Sequence, residues 1–585
     1  MTRWWLIAIA MLACAAGAWG QAAPAGNERA GTQLLSGGHA GHGVFGHAVM
    51  DRVSAEQKHA FAERVNFEPL RDLAVFHNGR VKILDTLARE TVLSLTGSGA
   101  YFDLVPAGEN RVTRVKYDPM FTLLDMMIDP AYYADKPLIH VGFLPLREAY
   151  LDRALPDDAA TRQRLMRLTR VTPVMVEQHS TDIFNELGES PEIRRGLGDV
   201  EQALGLYLGG ESNLLLVAPP ERAARWEHLG DLPPESAARR AAEALGQAWR
   251  ALDADGVNEA ATALAAVLPT IHADVYPQGR RSIELAYNRS NAFEWGFWTY
   301  GLSLVMLLLA FGTGRRWLVA GGIALLVAAI GLHAFGFVTR CVIAERFAIQ
   351  NQFESMTGVS LFAAVVGLGA MLVRRQWLFG AAAAGTGFLV LIMATQTGIP
   401  GMSIEREAAI LNTSVLLKYH VTTVLTSYGL ITLGFIVSLF YLGTHYAHRF
   451  AGRQADVVVM ASAAVTSGGG GSGEAEVNTG PARTLRDLDK AQMTILQLAF
   501  WTLGVGILLG AWWADHSWGR WWAFDPKETW ALVTWIVYLI VIHVRMAGIR
   551  DRGLTTAWLS VAGFFVMLWT YFGVNLLLPG LHAYA

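Results

Sequence analysis

The sequence predicts an all-α, polytopic membrane protein: a helix bundle of about eight spans behind an N-terminal, mostly helical extracytoplasmic domain. Three observations predict it. Hydrophobic residues make up 52% of the 585 and charged residues 17%, and apart from the N-terminal leader the long apolar runs all fall after residue 290. Region 61–290 instead shows amphipathic patterns punctuated by Pro and Gly. Basic connections alternate regularly between the apolar runs, as in a chain threaded back and forth through a bilayer.

Residues 1–20 carry Arg3, an apolar run and a small-residue stretch around Ala18-Trp19-Gly20. That pattern reads as a signal peptide or an uncleaved anchor, and either sends the following chain out of the cytoplasm. Residues 21–60 are rich in Gly, Ala and His, including His39, His42 and His47. This composition reads as a flexible tether, although the three imidazoles could catch a metal transiently. In 61–290, amphipathic stretches recur at Asp157–Arg170, Pro191–Leu208, Pro234–Leu252 and Val257–Leu268. Pro234-Glu235-Ser236 and Asp253-Ala254-Asp255-Gly256 supply helix start and stop signals among them. A structural or docking role is expected there, with no chemistry assigned.

From 291 to 585 the apolar spans are expected at Phe293–Phe311, Trp317–Val338, Met356–Val373, Trp377–Ala394, Leu416–Leu442, Ile495–Trp512, Thr529–Val544 and Thr556–Leu578. Roughly 20 residues at about 1.5 Å each cross the hydrocarbon. Arg315-Arg316, Arg374-Arg375, the Tyr446–Lys490 connection and Arg545–Arg552 are the basic connections. The positive-inside rule puts them in the cytoplasm. The N-terminal domain, the Trp-rich loop and the C-terminus then lie outside. The loop at 450–490 contains Gly469-Gly470-Gly471 and reads as a flexible linker.

Charge and cysteine content narrow the function. The net charge is −3, and no basic run supports a nucleic-acid partner. Only Cys14 and Cys341 are present, so there is no CxxC pair for thiol redox work or for attaching a prosthetic group to this chain itself. Cleavage of the leader would also exclude an intramolecular disulfide.

The informative stretch is Ala511–Trp535. It holds Trp512, Trp513, Trp518, Trp521, Trp522, Trp530 and Trp535, with Gly519 and Asp525-Pro526-Lys527-Glu528 among them. Indoles at this density suit an interfacial aromatic belt or a platform for a large planar ligand. A belt explains the aromatics but not the turn and mixed charge between two apolar segments.

The string WGRWWAFDPKETWAL closely resembles the WWD signature of haem-handling membrane proteins, in the form found in the CcsA/ResC family of cytochrome c biogenesis. Phe524 departs from it, standing where the family usually has another Trp. His77-Asn78-Gly79-Arg80-Val81-Lys82 with Leu84-Asp85-Thr86 loosely resembles an extension found ahead of some members. The resemblance implies a subunit of a System II cytochrome c synthetase that acts on haem b, apocytochrome c (CxxCH) and a CcsB/ResB-like membrane partner within the lipid bilayer.

On position alone, His420 and His582, at the outer ends of the fifth and eighth spans, are open to two readings: interfacial histidines or axial ligands. The resemblance assigns both as external haem-iron ligands, with GLHAY similar to the family's terminal GLHSY. It places Trp513, Trp518, Trp521, Trp522 and Asp525 beside the same haem. His543 sits at the inner end of the seventh span, about 22 Å from Glu528 by helical rise. It cannot share an iron with the other two, and snorkelling at the interface is the competing account. The resemblance assigns it a second, membrane haem site completed by a partner histidine, for which His445 and His448 are weak substitutes here. His333 reads as a buried, satisfied histidine. Asn351 and Glu354, in a segment similar to the family's N-x-[YF]-E-S, could order a loop or border the haem, and Arg340 and Arg346 could pair with propionates. Asn575 reads as an interhelical hydrogen bond. Two alternatives stay open: a haem exporter or carrier without lyase activity, and a b-type electron-transfer protein.

Overall fold

The structure, a computed structural model, describes residues 43–46, 53–106, 112–374, 376–396, 399, 401–405, 415–463, 481–545, 547 and 551–578. The leader, His39, His42, His47, the centre of the 450–490 linker and His582 lie outside the described residues. The chain divides at Asn291 into two compact units, Arg29–Ser290 and Asn291–Ala585.

The N-terminal unit is built from short helices that start where the sequence supplies caps. Helix α1 (Ala55–Ala62) opens on a Ser54/Gln57 capping box, which satisfies two otherwise orphaned donors. After α2 (Glu68–Arg71) come α3 (Leu84–Thr96) and α4 (Pro119–Ile128). Next are α5 (Leu144–Ala154), α6 (Ala159–Leu168), α7 (Pro173–Leu187) and α8 (Pro191–Leu208). Proline at the first turn and a capping Thr172 or Ser190 start the last two, as expected where the proline has no N–H to lose. Helices α9 (Ala237–Arg250), α10 (Ala254–Val267) and α11 (Gln278–Ser290) complete the set. Ser236 and Asp253 cap α9 and α10, within the two stretches read above as helix start and stop signals.

Three small antiparallel pairs, absent from the expectation, lie among these helices. Strand β1 (Ala74–His77) pairs with β2 (Arg80–Ile83) across Asn78-Gly79, whose φ values are +49° and +77°. Those signs at both central residues are what a two-residue type I′ hairpin requires. Strand β3 (Phe102–Pro106) pairs with β4 (Val112–Lys116), and β5 (Ile139–His140) with β6 (Arg170–Val171).

The core of this unit centres on Trp249, fully buried against Phe61 and Phe121. Its indole N–H donates to Asp125 at 2.9 Å. Asp125 also accepts from Tyr133 at 2.7 Å and from the buried Lys58 at 2.9 Å, and Lys58 reaches Asp129 at 2.7 Å. Every charge here is therefore partnered, the condition for burying charges at tolerable cost.

The second unit contains eight helices long and apolar enough to cross a membrane. They are α12 (Ala292–Thr313), α13 (Arg316–Ala344), α14 (Gln352–Arg374), α15 (Leu378–Gln396), α16 (Val415–Ala463), α17 (Pro481–Trp518), α18 (Pro526–Val544) and α19 (Arg552–Leu568). The eight expected spans each fall on one of them. Helices α12 to α15 pack together, α16 to α19 pack together, and α16 joins the halves through α14 and α15. Glycines set the closest approaches: a Cβ at Gly322 would sit 2.7 Å from Leu307, and one at Gly387 2.7 Å from the Tyr300 ring. In lipid, where water drives no helix association, such close packing holds helices together. Beyond α19, a π-helical turn at Trp569–Gly573 leads into α20 (Val574–Leu577).

Candidate functional site

The Trp-rich segment begins on the last turns of α17 and ends in α18. Helix α17 stops after Trp518 because Gly519 turns left-handed at φ +69°, a conformation glycine enters without a Cβ penalty. Phe524 is left-handed as well, at φ +55°, which is uncommon for a side-chain-bearing residue. Asp525 then caps α18: its carboxylate accepts from Lys527 N at 3.3 Å, while Glu528 reaches back to Asp525 N at 3.3 Å and Ala523 N at 2.8 Å. The two acids that mark the motif thus fix where the loop ends and the helix begins.

This loop presents its aromatics unequally. Trp513 is 2% exposed, meets Trp518 edge to face at 4.9 Å, and its indole N–H has no acceptor among the described residues. Trp521 is 55% and Phe524 81% exposed, and Trp522 meets Phe524 edge to face. Trp530 packs edge to face with Trp569 at the π turn. Trp535 is a packing residue, stacked on Phe500 at 4.8 Å with its N–H on the Phe500 carbonyl at 3.2 Å.

His420, near the start of α16, comes to this same end of α17. Its Nδ1–H donates to the Gly506 carbonyl at 2.8 Å. A carbonyl only accepts, so this bond selects the tautomer in which Nε2 carries the ring lone pair. That is the form a metal-ligating histidine takes, its other nitrogen steadied by a hydrogen bond. Gly510, one turn before Trp513, makes room for the ring: a Cβ there would lie 2.5 Å from His420 Cε1. An oriented imidazole, a buried indole N–H still wanting an acceptor and exposed aromatics at one helix end fit a flat, polar-edged macrocycle. The other expected external ligand, His582, lies outside the described residues.

His543 lies at the opposite end of α18, one residue before its last. It is exposed, and its Nδ1–H donates to the Leu539 carbonyl at 2.8 Å, again leaving Nε2 with the lone pair. Two residues on, Arg545 holds Asp489 of α17 through both carboxylate oxygens. Gly553 lies against both Asp489 and the Tyr441 hydroxyl, and His445 stacks on Tyr441. His445 therefore belongs to the same end as His543.

Other polar residues prove structural. His333 is fully buried: Nε2–H donates to the Thr357 carbonyl at 2.9 Å and Nδ1 accepts from Tyr300 at 3.4 Å. Glu354 is buried between Arg340 (3.1 Å) and Arg346 (2.6 Å). Arg340, itself fully buried, also donates to the carbonyls of Gly401, Met402 and Ser403 at 2.6, 2.8 and 3.2 Å. Asn351 accepts from Glu354 N at 2.8 Å at the start of α14. The expectation that Arg340 pairs with a propionate gives way to this knot, because Arg340 is fully buried and its guanidinium is engaged by Glu354 and three backbone carbonyls; Arg346 shares the same single carboxylate.

Sequence reasoning missed Gly506 and Gly510. Their signal was present in GVGILLG, small residues four apart on the span that feeds the Trp segment, but nothing local says which neighbour uses the space.

The cytochrome C assembly protein family model matches residues 290–582, taking in His420, the Trp-rich segment, His543 and His582. A cytochrome c biogenesis protein CcsA of Synechococcus sp. (strain CC9311) is 31% identical over 299 residues, covering 49% of this chain and 96% of that protein. The protein of that name from Gloeobacter violaceus is 29% identical, over 48% of this chain and 88% of its own length. Protein NrfI of Wolinella succinogenes is 26% identical over 544 residues, covering 87% of this chain and 53% of that protein. That last match is too long to be confined to the membrane unit and runs into the N-terminal one. On the match across the whole helix bundle, this chain belongs to the cytochrome c assembly protein family, as a CcsA-type multi-pass membrane protein that handles haem in the maturation of c-type cytochromes.

Proposed function

We propose that this chain is the haem-presenting subunit of a System II cytochrome c synthetase in a bacterial inner membrane. Haem b is its substrate, entering at His543 with a second histidine from a CcsB/ResB-like membrane partner. It is then held on the extracytoplasmic side by His420 and His582 beside Trp513, Trp518, Trp521 and Trp522. Asp525 contributes by fixing the loop that carries those rings. Here the thiols of an apocytochrome CxxCH motif meet the porphyrin vinyls, each S–H adding across a C=C bond to give a thioether. The chain supplies binding and orientation, while the vinyl and thiol groups supply the reactivity.

The observation that carries this reading is His420, whose imidazole is oriented by the Gly506 carbonyl at the Trp-bearing end of α17. The test compares wild type with His420→Ala, His582→Ala and His543→Ala after purification with the partner. Reduced-minus-oxidised spectra report bound haem, and peroxidase staining of denatured cytochrome reports covalent attachment. Loss of holocytochrome in His420→Ala and His582→Ala is expected; wild-type maturation in both variants would refute the external site. Haem that is bound and released with no thioether formed by the reconstituted complex would point to a carrier.

A further inference from the structure

The N-terminal unit buries two arginines that no carboxylate neutralises. Arg147 and Arg170 are 7% and 8% exposed, and among the described residues neither forms an ion pair. Arg170, on β6, donates to the Thr96 carbonyl at 2.9 Å and to Ser98 Oγ at 2.7 Å. Arg147, on α5, donates to the Val141 carbonyl at 2.6 Å and rests its Nε on Met166 sulfur at 3.3 Å. Carbonyl and hydroxyl dipoles answer single N–H groups but leave the two full charges uncompensated.

These charges converge on His140. In the β5–β6 ladder His140 stands opposite Arg170, and its Nδ1 lies 3.2 Å from Thr169 Oγ1. Thr169 passes its own proton to the Leu168 carbonyl at 2.7 Å. Its backbone is left-handed at φ +58°, a strained setting for a β-branched residue. Gly97, at φ +65°, leaves the space His140 occupies, since a Cβ there would lie 2.5 Å from the ring. Burial and the nearby Arg170 and Arg147 charges hold His140 below its ordinary value. Arg114, its guanidinium over the Phe102 ring at 3.8 Å, adds a further positive charge within reach of Arg170. Asp103 on the same hairpin as Arg114 is engaged by Lys136 and Tyr132.

Isolated buried cations are expensive unless an anion joins them, and guanidinium groups suit oxyanions with fixed directional donors. We propose that Arg170, Arg147 and His140, with Ser98 and Thr169 alongside, form an oxyanion-binding site that takes a phosphate or carboxylate group. The site stands wholly within the N-terminal unit and does not rest on the haem reading. Such a group comes either as free inorganic phosphate or on a small organic acid.

The test uses the full chain in detergent micelles and titration calorimetry with sodium phosphate, with sodium succinate, and with sodium chloride at matched ionic strength. Saturable binding of phosphate or succinate, with none of chloride, is expected, and the arm that saturates at lower concentration identifies the source. Arg170→Gln should weaken that binding at least about tenfold. Should Arg170→Gln fail to fold, Ser98→Ala decides: it removes the hydroxyl that accepts from Arg170 and that also bonds the Ala100 carbonyl and Thr96, and it should weaken binding by about three- to tenfold in a chain that still unfolds cooperatively, at a somewhat lower temperature. Absence of saturable binding of either anion to the wild type overturns the site. So does binding that a folded Arg170→Gln, or Ser98→Ala with His140→Gln, leaves unchanged.

Discussion

Gly510→Ala is the sharpest probe of the external site, because it touches His420 without replacing it. The added methyl would sit 2.5 Å from Cε1, 2.8 Å from Nδ1 and 3.1 Å from Nε2 of the ring. Ordinary contact begins near 3.4 Å, so the imidazole must retreat by roughly 0.9 Å. The His420 to Gly506 hydrogen bond, 2.8 Å long, then stretches past useful range. Its direct worth to stability is about 0.5–1.5 kcal/mol. Alanine returns roughly 0.5–1 kcal/mol of helix propensity, so the fold should survive nearly unchanged. The effect instead falls on iron binding, where loss of an orienting bond costs about 10- to 100-fold in metal affinity. The assay is haem retained through purification, read from the Soret band per mole of protein, together with covalent cytochrome formed in cells. Gly443→Ala, on α16 where a Cβ meets nothing within 4 Å, is the matched control and should behave as wild type. If Gly510→Ala keeps wild-type haem and maturation, the orientation of His420 by α17 has no part in haem binding.

Glu354→Gln removes the one carboxylate between Arg340 and Arg346, and breaking such a buried cluster should cost about 3–5 kcal/mol. Thermal unfolding in micelles and faster proteolysis at Gly401–Ser403, whose carbonyls Arg340 holds, would show it. Tyr538→Phe should be neutral or stabilising by up to about 1 kcal/mol in the same melt, because the buried hydroxyl has no partner among the described residues and removing it relieves a desolvation cost. In the N-terminal unit, burial alone would raise the Asp85 carboxyl, but Arg89, Arg71 and Asn288 outweigh it and hold the group below the usual carboxylate range. A depressed folded value stabilises above the ordinary value and loses that contribution as pH falls through the folded one. Denaturant unfolding between about pH 6 and about pH 3 should therefore show a decline beginning near pH 4 that Asp85→Asn flattens.

Much of the architecture was legible because its signals are local. Each span is a run of apolar residues, and a bilayer tests only length and hydropathy. The helix boundary signals at Ser236 and Asp253 were readable for the same reason, since a cap bonds N–H groups two or three residues away. The Asn78-Gly79 hairpin was equally local and was missed: a mostly helical reading of the region overrode a turn signal that needs no tertiary support. Arg340 shows the opposite case. Its sequence neighbourhood suggested a free cation for an anionic ligand, but its partners come from Glu354 and from carbonyls at 401–403, brought there by the packing of different helices.

The amino-acid sequence by itself determined the eight membrane helices, the Trp-rich turn between α17 and α18, and the separation of His543 from that turn by the length of one helix. Helical rise alone settles such distances. Only the tertiary structure decided that His420 lies on Gly506 and Gly510, that Glu354 joins two arginines, and that Arg147 and Arg170 gather around His140. Those contacts depend on how each element is rotated and set against neighbours far away in the chain, and side-chain volumes across whole interfaces decide that together.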